Sequence, residues 1–269
     1  MSDPLVRVDE QSGIARVVLN SPATLNALSI PLLKALDEAV DQLVDTDRLR
    51  CLILTGEGRA FCAGGDLAAF KSDIDAGQYH RFLARLECAQ RVFNRIERLP
   101  VPVIGAVNGV AVAGGLELLL CCDILYAARS ARIGDGHARY GVIPAGGASV
   151  RLPARIADGP AREMLLTGEL YQADQLARWG LVNRVVPDSE LEDAVLALAR
   201  TLCRNSPAGL AHIKTLAREN LQRSPEQGLR AEIDTFTRYA RHPDFREGLA
   251  AFAEKRAPVF EGTGGKGQG

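Results

Sequence analysis

A single glutamate stands in an almost wholly apolar stretch of the chain, directly behind a pair of glycines. The stretch VNGVAVAGGLELLLCCD, residues 107–123, places Glu117 among apolar and small side chains. Desolvation can tune a carboxylate in such surroundings for general acid–base work. A glutamate in the first turn of a helix is also favoured by the helix dipole, so its position alone leaves both interpretations open.

Two segments of the chain share one arrangement, a strand followed by small residues and then a helix. They are ILTGEGRAFCAGGD at 53–66 and IGAVNGVAVAGGLE at 104–117. Small residues let the backbone approach a ligand, and amides at a helix start point outward with partial positive charge. If the two loops converge, they could donate two N–H bonds to one oxygen and form an oxyanion hole. Tight helix packing would account for the same small residues.

Other site chemistries lack their motifs. The chain has no GxxxxGK[ST] phosphate loop, no complete dinucleotide fingerprint and no G-x-S-x-G nucleophile elbow. The cysteines and histidines are scattered and form no zinc-binding cluster, so we expect no metal. The cysteines are expected to be buried thiols of a reducing compartment; they stand at positions 51, 62, 88, 121, 122 and 203.

Composition narrows the possible partners. The 269 residues are 47% hydrophobic and carry 32 basic and 33 acidic side chains, for a net charge of -1. This balance argues against a nucleic-acid or membrane partner, since both need a concentrated basic field. Residues 101–128 are almost all apolar, but Pro102, Asn108, Glu117 and Asp123 favour a buried strand–loop–helix–strand over a membrane span. The beginning of the chain, MSDPLVRVDE, carries no export signal, so a cytoplasmic location is expected.

The elements around these loops alternate strand and helix. Residues 6–20 predict a hairpin that turns at 11–13, and 29–46 predict a helix with Ser29 as its N-cap. The strand predicted at 49–56 completes a β–α–β unit and hence parallel pairing. A long amphipathic helix is expected over 77–99 and two short strands over 123–134.

From residue 159 onward the pattern is helical apart from a strand in LVNRVVP, residues 181–187. This helical end could cap the core or form an oligomer interface. The tail GTGGKGQG is predicted to be disordered. The predicted helices cover 159–167, 173–178, 189–204, 207–222, 225–240 and 243–256.

Four segments together resemble the crotonase family, which includes enoyl-CoA hydratases and isomerases. The resemblance runs from about residue 5 to FREGLAAFAEKRAPVF at 245–260. It implies an α/β fold, with a crotonase-like ββα spiral core over 1–200 and a C-terminal helical region over 201–269 that forms homotrimers or dimers of trimers, the disordered tail starting at about 262. The segments are AFCAGGDL (60–67), PVIGAVNGVAVAGGLELLLCCD (102–123), IPAGGASVRLP (143–153) and LLTGELYQADQLARWGLVNRVVP (165–187).

The resemblance implies roles for the residues of the two loops. The backbone amides of Gly65 and Gly114 match the pair that holds the thioester oxygen of an acyl-CoA. Glu117 matches one of two carboxylates that family hydratases use on water and on the substrate carbons. The position of the second carboxylate is His137 here, whose imidazole could transfer protons or simply line the pocket. Asp135 nearby could orient that ring, or be solvated.

The resemblance also implies a coenzyme A site, in which CoA is part of the substrate and no separate cofactor is needed. Ala23 stands where many members carry a basic residue on the CoA phosphates, so that charge is missing. Phe236 and Lys255 match residues that reach adenine and phosphate, often from a neighbouring subunit; Lys255 could equally be a solvated helix residue. The positions implied on the loop side are Ala27, Ala63, Gly64 and Asp66.

The function expected from these features is an enzyme that hydrates a 2-enoyl-CoA, or catalyses the reverse dehydration. Because His137 replaces a carboxylate, isomerisation, decarboxylation and thioester hydrolysis stay open as alternatives. Double-bond migration is less expected among them, since family isomerases often rely on the second carboxylate alone. A non-catalytic acyl-CoA binding protein is the remaining alternative.

Overall fold

A computed structural model of the chain describes residues 3–44 and 48–260. The tail predicted to be disordered lies outside these residues. The strands are β1 Val6–Gln11, β2 Ile14–Leu19, β3 Cys51–Gly56, β4 Ala60–Cys62, β5 Val103–Val107, β6 Val110–Val112, β7 Ile124–Ala128, β8 Arg132–Gly134, β9 Leu170–Gln172 and β10 Arg184–Val186. The α-helices are α1 Ile30–Val44, α2 Leu67–Asp75, α3 Tyr79–Glu97, α4 Gly114–Leu119, α5 Ala148–Arg151, α6 Asp158–Thr167, α7 Ala173–Arg178, α8 Leu191–Cys203, α9 Pro207–Asn220, α10 Pro225–Tyr239 and α11 Pro243–Glu254.

The larger sheet has six strands in the order β1-β2-β3-β5-β7-β10. The hairpin β1–β2 is antiparallel, and every other neighbouring pair in this sheet is parallel. The predicted hairpin and the predicted β–α–β unit of β2, α1 and β3 are therefore confirmed. Ser29 begins α1 as predicted, because its Oγ accepts a hydrogen bond from the Leu32 amide at 3.3 Å.

The smaller sheet has four strands in the order β4-β6-β8-β9. Strands β4, β6 and β8 are parallel neighbours, and β9 pairs antiparallel with β8. Here the sequence prediction was incomplete. Strands β4 and β6 lie inside the segments interpreted as glycine-rich loops, and β9 lies in a part of the chain interpreted as helical. Three residues are too few to show strand alternation, and the partner strands are distant in sequence.

The core lies between the larger sheet and the helices that pack on it. Every residue of β3 and β5 is buried, as expected for central parallel strands covered on both faces. Helix α8 packs on both strands, while α1 packs on β2 and on α3. The six cysteines are free, as predicted, and five of them are buried. Burial raises the pKa of Cys62 to about 12, so its thiol behaves as a small apolar group.

The C-terminal helices α9, α10 and α11 confirm the predicted helical end of the chain. Helix α9 is fixed to the core by Lys214, whose Nζ lies 2.7 Å from Asp123 Oδ2 and donates to the Val101 carbonyl at 2.9 Å. Helix α10 packs on α9, where the hydroxyls of Ser206 and Tyr239 lie 2.9 Å apart. The division predicted at residue 200 falls inside α8 and stays a prediction. Within the described part of the chain, no helix combines the length and apolarity needed to cross a membrane.

Candidate active site

Three parallel strands of the smaller sheet bring the candidate site residues together. Strands β4, β6 and β8 are neighbours, so their carboxyl ends lie at one edge of the sheet. The segments that follow these ends carry Gly65, Gly114 and the pair Asp135 and His137, in that order. Helix α4 begins at Gly114 and carries Glu117 in its first turn. Ligands of open parallel sheets commonly bind at such an edge.

The first glycine loop is held in place by the segment that precedes α1. The Ala63 amide donates to the Leu25 carbonyl at 2.9 Å, and the Leu28 amide donates to the Gly64 carbonyl at 2.8 Å. The buried Asn26 side chain donates to the Ala60 carbonyl at 2.8 Å. These bonds place Ala27, Ala63 and Gly64 side by side, and their role on the CoA side of the site stays a prediction.

The second loop packs directly on the first. A side chain at Gly115 would place its Cβ 2.1 Å from the Cys62 carbonyl oxygen, so only glycine allows this contact. Ala113, the residue before α4, has φ 52° and ψ −118°, a strained conformation for a residue with a side chain. Its amide donates to the Gly134 carbonyl at 3.2 Å, which ties the loop to the end of β8. The surrounding contacts thus hold a strained turn at the start of α4.

Two backbone donors at this edge are left for a ligand. Among residues 3–44 and 48–260, neither the Gly65 nor the Gly114 amide donates to a protein acceptor. The loops touch here, because a Cβ built on Gly114 would lie 3.5 Å from Gly64 Cα. Fixed amides of this kind stabilise charge that develops on a carbonyl oxygen, at about 2.7–4 kcal/mol for one donor.

Glu117 is buried at 3% exposure beside these donors. Its Oε1 accepts hydrogen bonds from the amides of Gly146 at 2.7 Å and Ala148 at 3.2 Å. Its Oε2 accepts none from the described residues, yet that atom is not sealed from solvent. One carboxylate oxygen is therefore anchored by the protein, and the other is left to act on a ligand or a water molecule.

Arg151 supports the segment that anchors Glu117. Its Nη1 donates to the Gly146 carbonyl at 2.8 Å, while Nε and Nη2 each lie 3.0 Å from the carboxylate of Glu97. Nη2 also donates to Asn94 Oδ1 at 2.6 Å. The sequence interpretation missed this arginine. The signal was available in IPAGGASVRLP, where a glycine pair is followed within one helical turn by an arginine.

His137 and Asp135 form a close pair just after β8. The His137 ring Nδ1 lies 2.9 Å from Asp135 Oδ1, and Asp135 itself is fully buried. Burial alone would lower the pKa of His137. The hydrogen bond to Asp135 and the charges of Asp135 and Glu117 outweigh burial, so the pKa of His137 is raised above its ordinary value. Asp135 is thus placed to orient the ring and is not solvated.

The Phe70 ring lies over the first loop and is supported by a second aromatic ring; sequence reasoning had singled out neither. A Cβ built on Gly65 would lie 2.8 Å from Phe70 Cε2, so this ring covers the glycine. Phe70 packs edge-to-face against Phe82 of α3, with the ring centroids 5.3 Å apart. An apolar wall therefore stands next to the free Gly65 amide.

Of the remaining predicted CoA residues, Asp66 lies at this edge, directly after Gly65, whereas Phe236 and Lys255 do not. Asp66 is the N-cap of α2, where its Oδ1 accepts from the Ala69 amide at 3.0 Å. Phe236 is 55% exposed on α10 and packs against Phe245, and Lys255 is exposed at the end of α11. Within the described part of one chain, no hydrogen bond, ion pair or ring contact joins Phe236 or Lys255 to the loops.

Two free amides beside a half-anchored carboxylate form a site with the groups needed to bind a developing oxyanion and to exchange protons. Comparisons with known proteins agree with that class. The family described as Enoyl-CoA hydratase/isomerase matches residues 9–263. Crotonyl-CoA hydratase from Syntrophomonas wolfei is 34% identical over 254 residues, which cover 94% of this chain and 96% of that protein. The 1,2-epoxyphenylacetyl-CoA isomerase of Escherichia coli is 35% identical over 252 residues, covering 94% and 96%.

A solved structure extends the likeness to the fold. Enoyl-CoA hydratase from Bacillus anthracis superimposes with a TM-score of 0.90 at 34% identity, over 96% of this chain and 99% of that one. The chain belongs to the enoyl-CoA hydratase/isomerase family. It is an enzyme with the crotonase fold, as the sequence resemblance predicted, and its family acts on acyl-CoA thioesters.

Proposed function

We propose that this enzyme adds water to a 2-enoyl-CoA, or removes it from the corresponding 3-hydroxyacyl-CoA. The half-anchored Glu117 carboxylate carries this proposal. Hydration needs a base that reaches a water molecule at the substrate β-carbon, and the unbonded Oε2 of a buried glutamate suits that task. Relatives named as hydratases support the same reaction.

The thioester oxygen is assigned to the amides of Gly65 and Gly114. When water adds to the β-carbon, the electron pair of the C=C bond moves toward the thioester, and negative charge develops on its oxygen. Two donors held in fixed positions favour that enolate-like state without reorganising during the reaction. Neither amide donates to an acceptor among the described residues, which leaves both available for this oxygen.

The protons are assigned to Glu117 and His137. Glu117 takes a proton from the attacking water as its oxygen bonds to the β-carbon. His137 in its protonated form gives a proton to the α-carbon, which completes the addition of water. The raised pKa of His137 favours the protonated imidazole that this step requires. In the dehydration direction each group does the reverse.

Coenzyme A is assigned to the surface beside the first loop, and it enters as part of the substrate with no separate cofactor. Ala27, Ala63 and Gly64 lie side by side there. Asp66 begins the adjoining helix. Phe236 and Lys255 are exposed on the C-terminal helices, where a neighbouring copy in a homotrimer could offer them to the same ligand.

Turnover of crotonyl-CoA tests the reaction directly. Hydration removes the conjugated double bond, so we expect the absorbance of the enoyl thioester to fall. In Glu117→Gln the base is lost, and we expect kcat to fall by about 10²- to 10⁴-fold. Glu10→Gln is the matched control, because Glu10 is exposed on the edge strand β1 and should keep full activity.

Absorbance that stays constant while the acyl-CoA binds would reject hydration of this substrate. Equal loss in the two glutamine variants would reject Glu117 as the base. A panel of branched and longer enoyl-CoA esters would then show whether the failure concerns the acyl group or the reaction.

Thioester hydrolysis is the second candidate, and the His137–Asp135 pair is the observation that favours it. An imidazole hydrogen-bonded to a carboxylate is a familiar base for water attack on a carbonyl, and the same two amides would hold the tetrahedral oxyanion. A thiol reagent separates the two reactions, because hydrolysis releases free coenzyme A and hydration does not.

A further inference from the structure

Asp135 is a fully buried carboxylate with one hydrogen-bonding neighbour among the described residues. Its Oδ1 lies 2.9 Å from His137 Nδ1, and its Oδ2 accepts the His137 amide at 3.3 Å. Both oxygens thus face the same residue two positions along the chain. An isolated buried carboxylate is costly, and such groups are normally paired.

The geometry sets the protonation pattern of the ring. An ionised carboxylate can only accept hydrogen bonds, so the proton between these two atoms belongs to Nδ1. The bond to the backbone amide fixes the carboxylate, and the bond to Nδ1 fixes the ring. His137 Nε2 has no partner among the described residues and is not sealed from solvent.

We propose that Asp135 is a positioning residue that keeps a proton on Nδ1 of His137, so that Nε2 is the atom that exchanges protons with the acyl-CoA. The Asp135–His137 pair then serves in place of a second carboxylate. The catalytic part of this inference rests on the proposed function, while the ring tautomer can be measured independently of turnover.

The charges around His137 set the direction of the pH dependence. Asp135 and Glu117 both favour the protonated ring. Arg139 and Glu169, the other charged pair beside this turn, lie 3.7 Å apart, are exposed and carry opposite charges. If Nε2 delivers the proton in hydration, kcat/KM falls as the pH rises through the pKa of His137. Removing the Asp135 charge moves this alkaline limb to lower pH.

A purely structural role makes a different prediction. The bond from the His137 amide to Asp135 closes a tight local turn, and such turns occur without any catalytic purpose. Asparagine can still accept that amide, so Asp135→Asn retains the turn. The same variant removes the charge and can present N–H groups to Nδ1, which favours the other tautomer.

The first measurement is the NMR spectrum of protein labelled with ¹³C and ¹⁵N in histidine, followed through a pH titration. His137→Gln assigns the signal. We expect wild type to hold the proton on Nδ1 when the ring is neutral. In Asp135→Asn the ring should titrate at lower pH, by about 1 pH unit or more, and shift toward the Nε2–H tautomer. Asp9→Asn, exposed on β1, is the control that should change neither property.

The second measurement is a double-mutant cycle on turnover. We expect Asp135→Asn to lower kcat/KM near neutral pH by about 10²-fold and His137→Ala by at least as much. Because Asp135 acts through His137, the double variant should lose no more than His137→Ala alone. If Asp135 acted independently of His137, the fold-loss in kcat/KM of the double variant would be the product of the two single losses.

Each outcome decides the proposal. A wild-type His137 ring with its proton on Nε2 would overturn the proposal. This test needs no variant, so it holds even if Asp135→Asn folds poorly. An unchanged titration of His137 in Asp135→Asn, or multiplied losses in the cycle, also overturns it. If the tautomer behaves as expected while no enoyl-CoA is hydrated, the positioning role stands and the proposed reaction fails.

Discussion

Glu117 keeps one carboxylate oxygen for the protein and leaves the other for chemistry. Two backbone amides bind Oε1, so the carboxylate cannot rotate freely. The buried ring of Phe93 lies close to the same position. A glutamate placed at the start of α4 only by the helix dipole would not need this enclosure.

Gly146 tests how closely that enclosure fits. In Gly146→Ala the new Cβ would lie 2.5 Å from Glu117 Oε2 and 2.9 Å from Phe93 Cε2. Because the shortest of these contacts is with Glu117 itself, the new methyl group should displace the carboxylate, and we expect kcat for crotonyl-CoA to fall by at least about 10-fold. Overpacking should also lower the free energy of unfolding by about 1–3 kcal/mol. Steady-state kinetics and urea unfolding measure the two effects.

Gly159→Ala is the matched control for this substitution. Gly159 is exposed in α6, and a Cβ there meets no atom within 4 Å. Activity should stay at the wild-type level in the control. A Gly146→Ala enzyme with normal kcat would show that the Glu117 carboxylate tolerates displacement, and would weaken its assignment as the base.

Helices α3 and α5 together hold the segment at 144–148, and this segment anchors Glu117. Arg151 of α5 binds the Glu97 carboxylate with two parallel hydrogen bonds and the Gly146 carbonyl with a third. The Gly146 carbonyl thus accepts a hydrogen bond from Arg151, while the Gly146 amide donates one to Glu117. Guanidinium planarity matters here, because one group must satisfy several fixed acceptors.

Arg151→Lys keeps the positive charge but loses the planar guanidinium that makes these three hydrogen bonds. We expect the segment at 144–148 to hold Glu117 less firmly, so kcat should fall by about 10-fold while KM for crotonyl-CoA changes little. Arg162→Lys is the control, since Arg162 makes only an exposed ion pair with Asp158. An equal effect of both substitutions on kcat would show that the segment is positioned without Arg151.

Many large apolar side chains of the C-terminal helices are exposed to solvent in one chain. Exposed apolar groups in such number mark an interaction surface. The family resemblance implies a homotrimer or a dimer of trimers; such an assembly would need a surface of this kind, and it stays a prediction for this chain. The exposed side chains are Ile213, Leu221, Leu229, Ile233, Phe236, Leu249 and Phe252.

Phe252→Glu tests that assembly. Phe252 is 86% exposed on α11, so the substitution should leave the fold of one chain intact. If the ring is buried between copies, a charge there opposes association, and analytical ultracentrifugation should show smaller particles. Val8→Glu, at a side chain 42% exposed on β1, should leave the sedimentation unchanged. A monomeric wild type would reject the predicted trimer.

The sequence predicted most of the regular elements, because long amphipathic helices and buried strands carry their own periodicity. The helices α3 and α8 to α11 and the hairpin β1–β2 are visible from spacing alone. The short strands β4, β6 and β9 are not, since three residues show no period and their stability comes from distant partners.

The kind of chemistry expected of this protein could be predicted from its residues alone. A glutamate behind a glycine pair, two loops of one design and the colinear family segments pointed to an oxyanion site, and the family is confirmed. How that site is held could be seen only in the folded chain. The Gly146 amide that anchors Glu117 comes from a distant part of the chain, and Arg151 holds that amide in place. The burial of Asp135 depends on the residues that surround it. No local pattern encodes such features, because they depend on residues that are distant in sequence and meet only in the folded chain.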